Sequence, residues 1–291
     1  MVKMMKKILT VVICLFLAAC GNGATGSGGD SGLTVISIGP SITEILVGLG
    51  AGDTIVAVDY HSTDISGLND DLPFFDLMNP NAEQIIALSP DIVFVVGMAL
   101  GGGDDPFQVV SDAGITVIHV PTSDSIDDIK NDIRRIAQYM DMQDTGDNMI
   151  EEMEYTIEVI REIGASIPDA DRKTVYFEIS SAPFMFSFGS GVFLHEMIEL
   201  TGAINVFGDQ QGWFSVSDEY LIVANPDVII TNVSYLDDPI GELRNRPGWD
   251  VVTAVQDGRI YQVDSNTSSR PNHRIVYGMW QIARAVYPDH F

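Results

Sequence analysis

The residue types that would announce an enzyme are present in this chain but scattered. Its five histidines stand at positions 61, 119, 195, 273 and 290, and no two are spaced to share a helix face as zinc ligands do. His195-Glu196-Met197-Ile198-Glu199 approaches the His-Glu-x-x-His zinc motif but ends in glutamate, and Leu194 and Ile198 make it read as the inward face of an amphipathic helix. A bare transition-metal site would have to assemble from distant residues such as His61, His119 and Glu178. There is no Gly-x-Ser-x-Gly nucleophile turn and no phosphate-binding loop. Asp104-Asp105 and Asp237-Asp238 read as solvated loop charges. The expectation is a protein that is not an enzyme and has no intrinsic cofactor or metal.

Large apolar side chains offer a different chemistry. Tyr60, Phe74-Phe75, Met98, Pro183-Phe184, Trp213-Phe214 and Tyr235 all fall in segments that follow strand-like runs, with Arg270 near the last of them. In parallel α/β sheets ligands bind at the loops beyond the strand ends. Aromatics with a few polar groups there suit a bulky, partly apolar ligand.

The elements that must carry these loops alternate. Apolar, β-branched runs at 33–38, 54–58, 92–96, 115–120, 174–179 and 259–263 read as strands. Helical spacing marks 43–49, 82–88, 126–139, 193–200 and 274–286, with Ser41-x-x-Glu44 placed as a capping box for the first. Strands and helices in this alternation predict a mainly parallel α/β fold. One phrase occurs twice. Residues 83–96 and 219–231 each run from a glutamate through a short apolar helix to Pro-Asp and then a strand. Two copies predict two similar lobes, at 33–142 and 168–291, with a cleft between them. They also put Glu83 and Glu219 in equivalent places, as a partner gripping both lobes would need. Between the lobes, residues 143–167 carry Met149, Met153, Ile157 and Ile160 at helical spacing among acids. About twenty residues at 1.5 Å each make a rod of roughly 30 Å, so this segment reads as a single helix bridging the lobes.

Residues 1–19 read as a secretory signal, with Lys3, Lys6 and Lys7 ahead of an apolar core of about ten residues, half of what a membrane span needs. Leu17-Ala18-Ala19-Cys20 looks like a bacterial lipobox, which implies lipidation of Cys20 and tethering to the cell membrane from outside the cytoplasm. Residues 20–32 are a Gly-rich tether, and the Gly-x-Gly-x-x-Gly inside it lacks the flanking strand and helix of a nucleotide site. Without the three signal lysines, 12 basic residues face 41 acidic ones, a net charge of −29. So acidic a chain repels nucleic acid and anionic lipid. Cys20 alone remains after cleavage, so no internal disulfide is expected.

Lipobox, tether, Ile38-Gly39-Pro40-Ser41-Ile42-Thr43-Glu44, Asn81-Ala82-Glu83-Gln84-Ile85 with Pro90-Asp91, the mid-chain helix, Arg246-Pro247-Gly248-Trp249, Gly258-Arg259-Ile260-Tyr261 and Ser269-Arg270-Pro271 occur in an order that resembles the class III substrate-binding proteins of ABC importers. Those proteins carry ferric siderophores, cobalamin or haem. The resemblance spans residues 33–291 and implies two Rossmann-like lobes joined by one long helix. It also implies a monomer whose Glu83 and Glu219 dock onto arginines of the permease subunits. Trp213 and Phe214 would face ligand, and Arg270 would contact it. Two departures bear on the ligand. No acid stands shortly before Arg270, as cobalamin binders of this type tend to have. The loop-borne basic residues are few: Arg244, Arg246, Arg270 and Arg274. A ferric siderophore of low charge is the first expectation, and cobalamin the next. An α/β enzyme with its active site in the cleft, or an adhesive lipoprotein, would be the competing classes.

Overall fold

The strand segments of this chain are apolar without alternation, and such strands are stable only where both faces are covered. The computed structural model describes residues 32–100 and 105–291. The signal segment, Cys20, all but the last residue of the tether, and Asp104 lie outside the described residues. Strands β1 (Val35–Ile38), β2 (Ile55–Asp59), β3 (Phe74–Phe75), β4 (Ile92–Val96) and β5 (Thr116–Val120) form one sheet in the order β3-β2-β1-β4-β5. All of its pairings are parallel. Strands β6 (Thr174–Glu178), β8 (Ile204–Asn205), β10 (Val228–Thr231) and β11 (Ile260–Gln262) form a second parallel sheet in the order β11-β10-β6-β8. Strands β7 (Phe186–Phe188) and β9 (Trp213–Ser215) pair antiparallel beside it. The two parallel sheets repeat one another, β8-β6-β10-β11 matching β2-β1-β4-β5 in order. The expected α/β architecture of two Rossmann-like lobes is what the chain adopts.

The duplicated phrase lies at matching places in the two sheets. Helices α1 (Pro40–Gly48) and α2 (Ala82–Leu88) lead to β4; α3 (Gln108–Asp112) and α4 (Ile126–Tyr139) flank β5. Farther on, α5 (Gln143–Ala165), α6 (Phe193–Leu200) and α7 (Asp218–Ala224) precede β10. Both α2 and α7 begin on a side-chain cap, Asn81 or Ser217, and both end on a residue in the left-handed region, Ser89 or Asn225. The Pro-Asp that follows acts as a clamp. Asp91 accepts hydrogen bonds from the backbone N–H and hydroxyl of Thr34, each at 2.8 Å. Asp227 does the same to Thr174, each at 2.9 Å. Each clamp ties the start of one strand to the start of its neighbour. The hydrogen bonds from Thr34 hold the Asp91 pKa below the usual carboxylate range.

Helix α5 packs against α4 of the first lobe and against α6 and α11 (Ile275–Val286) of the second. A stripe of Gly146, Ile150, Met153, Ile160 and Gly164 is buried along it. Gly146, which the sequence reading passed over, lets α5 close on α4, since a Cβ there would lie 2.6 Å from that of Ala137. At the other end a Cβ on Gly164 would lie 2.6 Å from the carbonyl oxygen of Leu200. Glu196, from the zinc-like motif, accepts a hydrogen bond from the Ile126 N–H at 3.0 Å, so a second-lobe side chain caps α4 of the first.

The capping box placed at Ser41 and Glu44 does not form. Gly39 is the N-cap residue of α1, at φ 144°, Pro40 is the first helical residue, and no side chain caps it. A Cβ on Gly39 would press to 2.8 Å from that of Val96, so the turn out of β1 needs glycine. Glu44 is drawn elsewhere. Its buried carboxylate receives Arg270 Nη1 at 2.9 Å, Asn272 Nδ2 at 3.0 Å and Arg274 Nη1 at 3.1 Å, all from the second lobe. Beside it Gly48 lies against His273, whose ring would be 2.6 Å from a Cβ there.

Removing Glu44 takes the shared buried carboxylate from two guanidinium groups and Asn272 at this junction. Glu44→Ala should cost about 3 kcal/mol in chemical unfolding, and Arg270→Ala less, because Asn272 and Arg274 still satisfy the carboxylate. Equal losses from both would show that the carboxylate is not the organising group. Burial, helped by the charge of Arg274, lowers the His273 pKa to about 4. Unfolded chains therefore take up a proton there between about pH 6.5 and 4 while folded ones do not, so stability falls as pH falls through that window. His273→Gln should remove that part of the acid slope in unfolding curves measured across it.

Candidate functional site

The loops at the carboxyl ends of the two sheets meet across a cavity of about 530 Å³. Asp64 lines it from the first lobe, and Ser234, Gln262, Val263, Asp264, Ser265 and Asn266 line it from the second. A smaller space of about 340 Å³ adjoins Asp64 and Asn266 and reaches Glu44, Arg270, His273 and Arg274.

In the first lobe Asp59 organises the turn that follows β2. It is fully buried at the end of β2, and its carboxylate accepts from the N–H groups of Gly39 at 2.9 Å and His61 at 2.8 Å, and from the Ser62 hydroxyl at 2.5 Å. That knot fixes the tight helical turn Tyr60–Ser62, which presents Tyr60 to solvent with its ring edge-on to Phe74 at 5.6 Å. The segment placed as a loop at Phe74-Phe75 is the short strand β3, with Phe75 turned into the core. Met98 follows β4 on the turn Gly97–Leu100 and is 56% exposed. It stands beside the β1–β4 neighbours where the order of the sheet reverses, the place where open parallel sheets take ligand.

In the second lobe the segments after β6 and β10 rest on a buried guanidinium. Arg246 grips both oxygens of Glu178, at 2.7 and 3.1 Å, bonds Glu242 through Nε at 3.0 Å, and lies 4.2 Å over the Trp249 ring. Burial alone would lower the Arg246 pKa, but its bonds to Glu178 and Glu242 hold it well above the ordinary arginine value. Burial raises the Glu178 pKa, and Arg246 opposes that. The same arginine donates to Ser181 Oγ at 3.2 Å, and the Ser181 N–H donates to the Tyr235 hydroxyl at 2.9 Å. The turn carrying Phe184 is thus fastened from below by Arg246 and from the side by Tyr235. Phe184 itself is 82% exposed and Tyr235 65% exposed.

Trp213 and Phe214 lie on β9 rather than on a loop, and successive strand residues point to opposite faces. Trp213 is outward, edge-on to Phe188 at 5.5 Å. Phe214 packs the other way, partly buried against Phe207 and the second-lobe core. Arg270 sits at the cleft, but its Nη2 holds the His61 carbonyl at 3.1 Å and Asp64 at 3.3 Å while Nη1 holds Glu44. His61, His119 and Glu178 do not converge. Glu178 is consumed by Arg246, His119 pairs with Asp105 at 3.1 Å, and no cluster of three metal-ligating side chains occurs among the described residues. Glu83 and Glu219 are exposed in the first turns of α2 and α7, away from the cavity lining. Bonds from its own backbone N–H and from Ser217 lower the Glu219 pKa.

Sequence reasoning did not find Glu44, Asp59, Asp64 or the polar lining at 262–266. Asp59 carried one usable signal, an acid at the end of an apolar strand directly before Tyr60. Glu44 carried none, because its partners lie 226 and 228 residues away.

Among known proteins, an uncharacterised ABC transporter substrate-binding lipoprotein of Bacillus subtilis, YvrC, is 30% identical over 257 residues, 88% of this chain and 81% of that protein. A vitamin B12-binding protein of Yersinia pestis is 28% identical over 202 residues, 68% of this chain and 69% of that one. The crystal structure of a possible iron-binding, periplasmic solute-binding protein from Staphylococcus epidermidis superposes with a TM-score of 0.77 at 30% identity, over 87% of this chain and 98% of that one. The sequence profile of the periplasmic binding proteins matches residues 35–267, and this chain belongs to that family.

Proposed function

We propose that this protein captures a metal chelate between its lobes outside the cytoplasm and hands it to an ABC importer. The observation that carries this reading is a polar cavity between two lobes of matching topology, while Tyr60, Met98, Phe184, Trp213 and Tyr235, outside its lining, leave large apolar side chains exposed on the same two lobes. Aromatic and soft side chains around a polar pocket suit a large ligand with an apolar periphery and a polar core. A ferric siderophore is the first candidate, in line with the solved structure described as a possible iron-binding protein. Cobalamin is the second. The neutral amides and hydroxyls of Ser234, Gln262 and Asn266 are suitable partners for an amide-rich corrin edge, and a vitamin B12-binding relative supports it. Haem is the third. The relatives are transport proteins, and we place this chain with them rather than with enzymes, working as a monomer.

Delivery needs a surface that both lobes share. Glu83 and Glu219 stand at equivalent helix starts, both exposed, and we assign them to docking on basic residues of the permease. An acid in a first helical turn also favours the helix by up to about 1 kcal/mol, and that role is compatible with docking. No described helix is long and apolar enough to cross a membrane. We assign membrane attachment to a lipid on Cys20.

Three measurements test this reading. Chelates titrated against the purified protein should quench tryptophan fluorescence, and Trp213→Phe should remove most of the change; quenching that survives intact would displace Trp213 from the cleft. Glu83→Lys with Glu219→Lys should cut uptake by at least ~10-fold through like-charge repulsion at the permease, with chelate affinity retained. Unchanged uptake would refute the docking assignment. Cys20→Ala should move the protein from the membrane to the soluble fraction.

A further inference from the structure

The guanidinium groups of Arg246, Arg270 and Arg274 are matched or outnumbered by carboxylates already bonded to them, while exposed Arg244 lies outside the lining of the cavity. Arg246 is buried between Glu178 and Glu242. Arg270 lies between Glu44 and Asp64, and Arg274 shares Glu44. The first group has two acids for one arginine, and the second has two acids for two. No lysine or arginine lines the 530 Å³ cavity, whereas Asp64 and Asp264 line it from the two lobes.

These two carboxylates keep free capacity. Asp64 is 61% exposed and offers only Oδ1 to Arg270, at the long distance of 3.3 Å. Asp264 uses Oδ1 to accept the Thr267 N–H at 2.8 Å as the cap of α10 (Ser265–Ser269). Neither Oδ2 has a hydrogen-bond partner among the described residues. The rest of the lining is neutral donors and acceptors: Ser234, Gln262, Ser265 and Asn266. Such a pocket satisfies amides, hydroxyls and ammonium groups. It offers no positive charge to a cluster of anionic oxygens.

We propose that Asp64 and Asp264 are the charge-selecting residues of the cleft, admitting neutral and cationic chelates and rejecting polyanionic ones. This rests on the chelate-carrier reading above and narrows it. Tris-catecholate iron complexes, with three negative charges, are excluded. Haem, with its two carboxylates, is disfavoured. Neutral or cationic trihydroxamate iron complexes and neutral corrinoids remain. The whole chain is acidic and would repel anions at a distance, but salt screens that field beyond about 8 Å under physiological conditions. Selection by Asp64 and Asp264 acts within the pocket and persists at higher salt.

The test is calorimetry at 0.15 and 0.5 M NaCl with four probes: a neutral ferric trihydroxamate, a monocationic ferric trihydroxamate, a trianionic ferric tris-catecholate and a neutral corrinoid. The wild type should bind at least one neutral or cationic probe at least ~100-fold more tightly than the trianion, at both salt concentrations. In Asp64→Asn with Asp264→Asn that ratio should shrink ~10-fold. Asparagine keeps the cap of α10 and an acceptor for Arg270, so the fold is preserved. A trianion that binds as tightly as the neutral probes, or a ratio that does not move in the double variant, overturns charge selection and leaves the carrier reading standing. Failure of all four probes to bind overturns the siderophore and cobalamin readings and the inference with them.

Discussion

The carboxylate of Glu44 is the constraint on which the arrangement of the two lobes depends. A carboxylate shut away from water is tolerable only with donors close by, and the first lobe supplies too few. Asn272 and the guanidinium groups of Arg270 and Arg274 therefore come across from the second lobe. Once they do, the segment 270–274 lies along α1, which is why Gly48 has no room for a side chain beside His273. The same demand holds Arg270 against Asp64 and the His61 carbonyl, at the edge of the turn that presents Tyr60. Interlobe geometry and the electrostatics of the cleft thus share one origin.

The duplicated phrase adds a second level of order. In each lobe Pro-Asp pins the start of one strand to a threonine at the start of its neighbour, with the same atoms at nearly the same distances. Pinning the amino ends leaves the carboxyl ends free to carry long loops, and those loops are where the exposed aromatics stand. The short helix before each clamp begins with its glutamate outward, so one local unit fixes a sheet and displays a charge on the surface.

Much of this was legible because it is periodic or local. The helices Ala82–Leu88, Ile126–Tyr139 and Phe193–Leu200 follow from spacing alone, and Ile92–Val96 from an unbroken apolar run. The misreadings have a common cause in contacts between residues far apart in the chain. Ser41 and Glu44 have the spacing of a capping box, but an arginine 226 residues away takes the glutamate. Trp213 and Phe214 read as one aromatic site, but pairing with β7 turns one ring out and the other against the second-lobe core. The exposure of Tyr60, Met98, Phe184 and Tyr235 was legible because each is a large side chain in a segment that follows a strand-like run, where little covers it. Asp64, Gln262 and Asn266 were not, because isolated polar residues in loops are the commonest feature of any sequence.

The bridging helix shows why a cleft of this kind can be both precise and responsive. Helix α5 is clipped to α4 where Gly146 allows close approach and to α6 where Gly164 does, so neither end can slide without a steric clash. A clipped rod resists wide hinging, and hydrogen bonds and ion pairs, which can lengthen before they break, also join the lobes. Of these, the bond between Arg270 and Asp64 is long and exposed, whereas the one between Arg270 and Glu44 is shorter and buried. A tilt would therefore stretch the outer bond first while the inner one acts as its pivot. The acids at the cleft then differ by depth: Glu44 holds the lobes together, and Asp64 stands at the opening where an incoming charge is met.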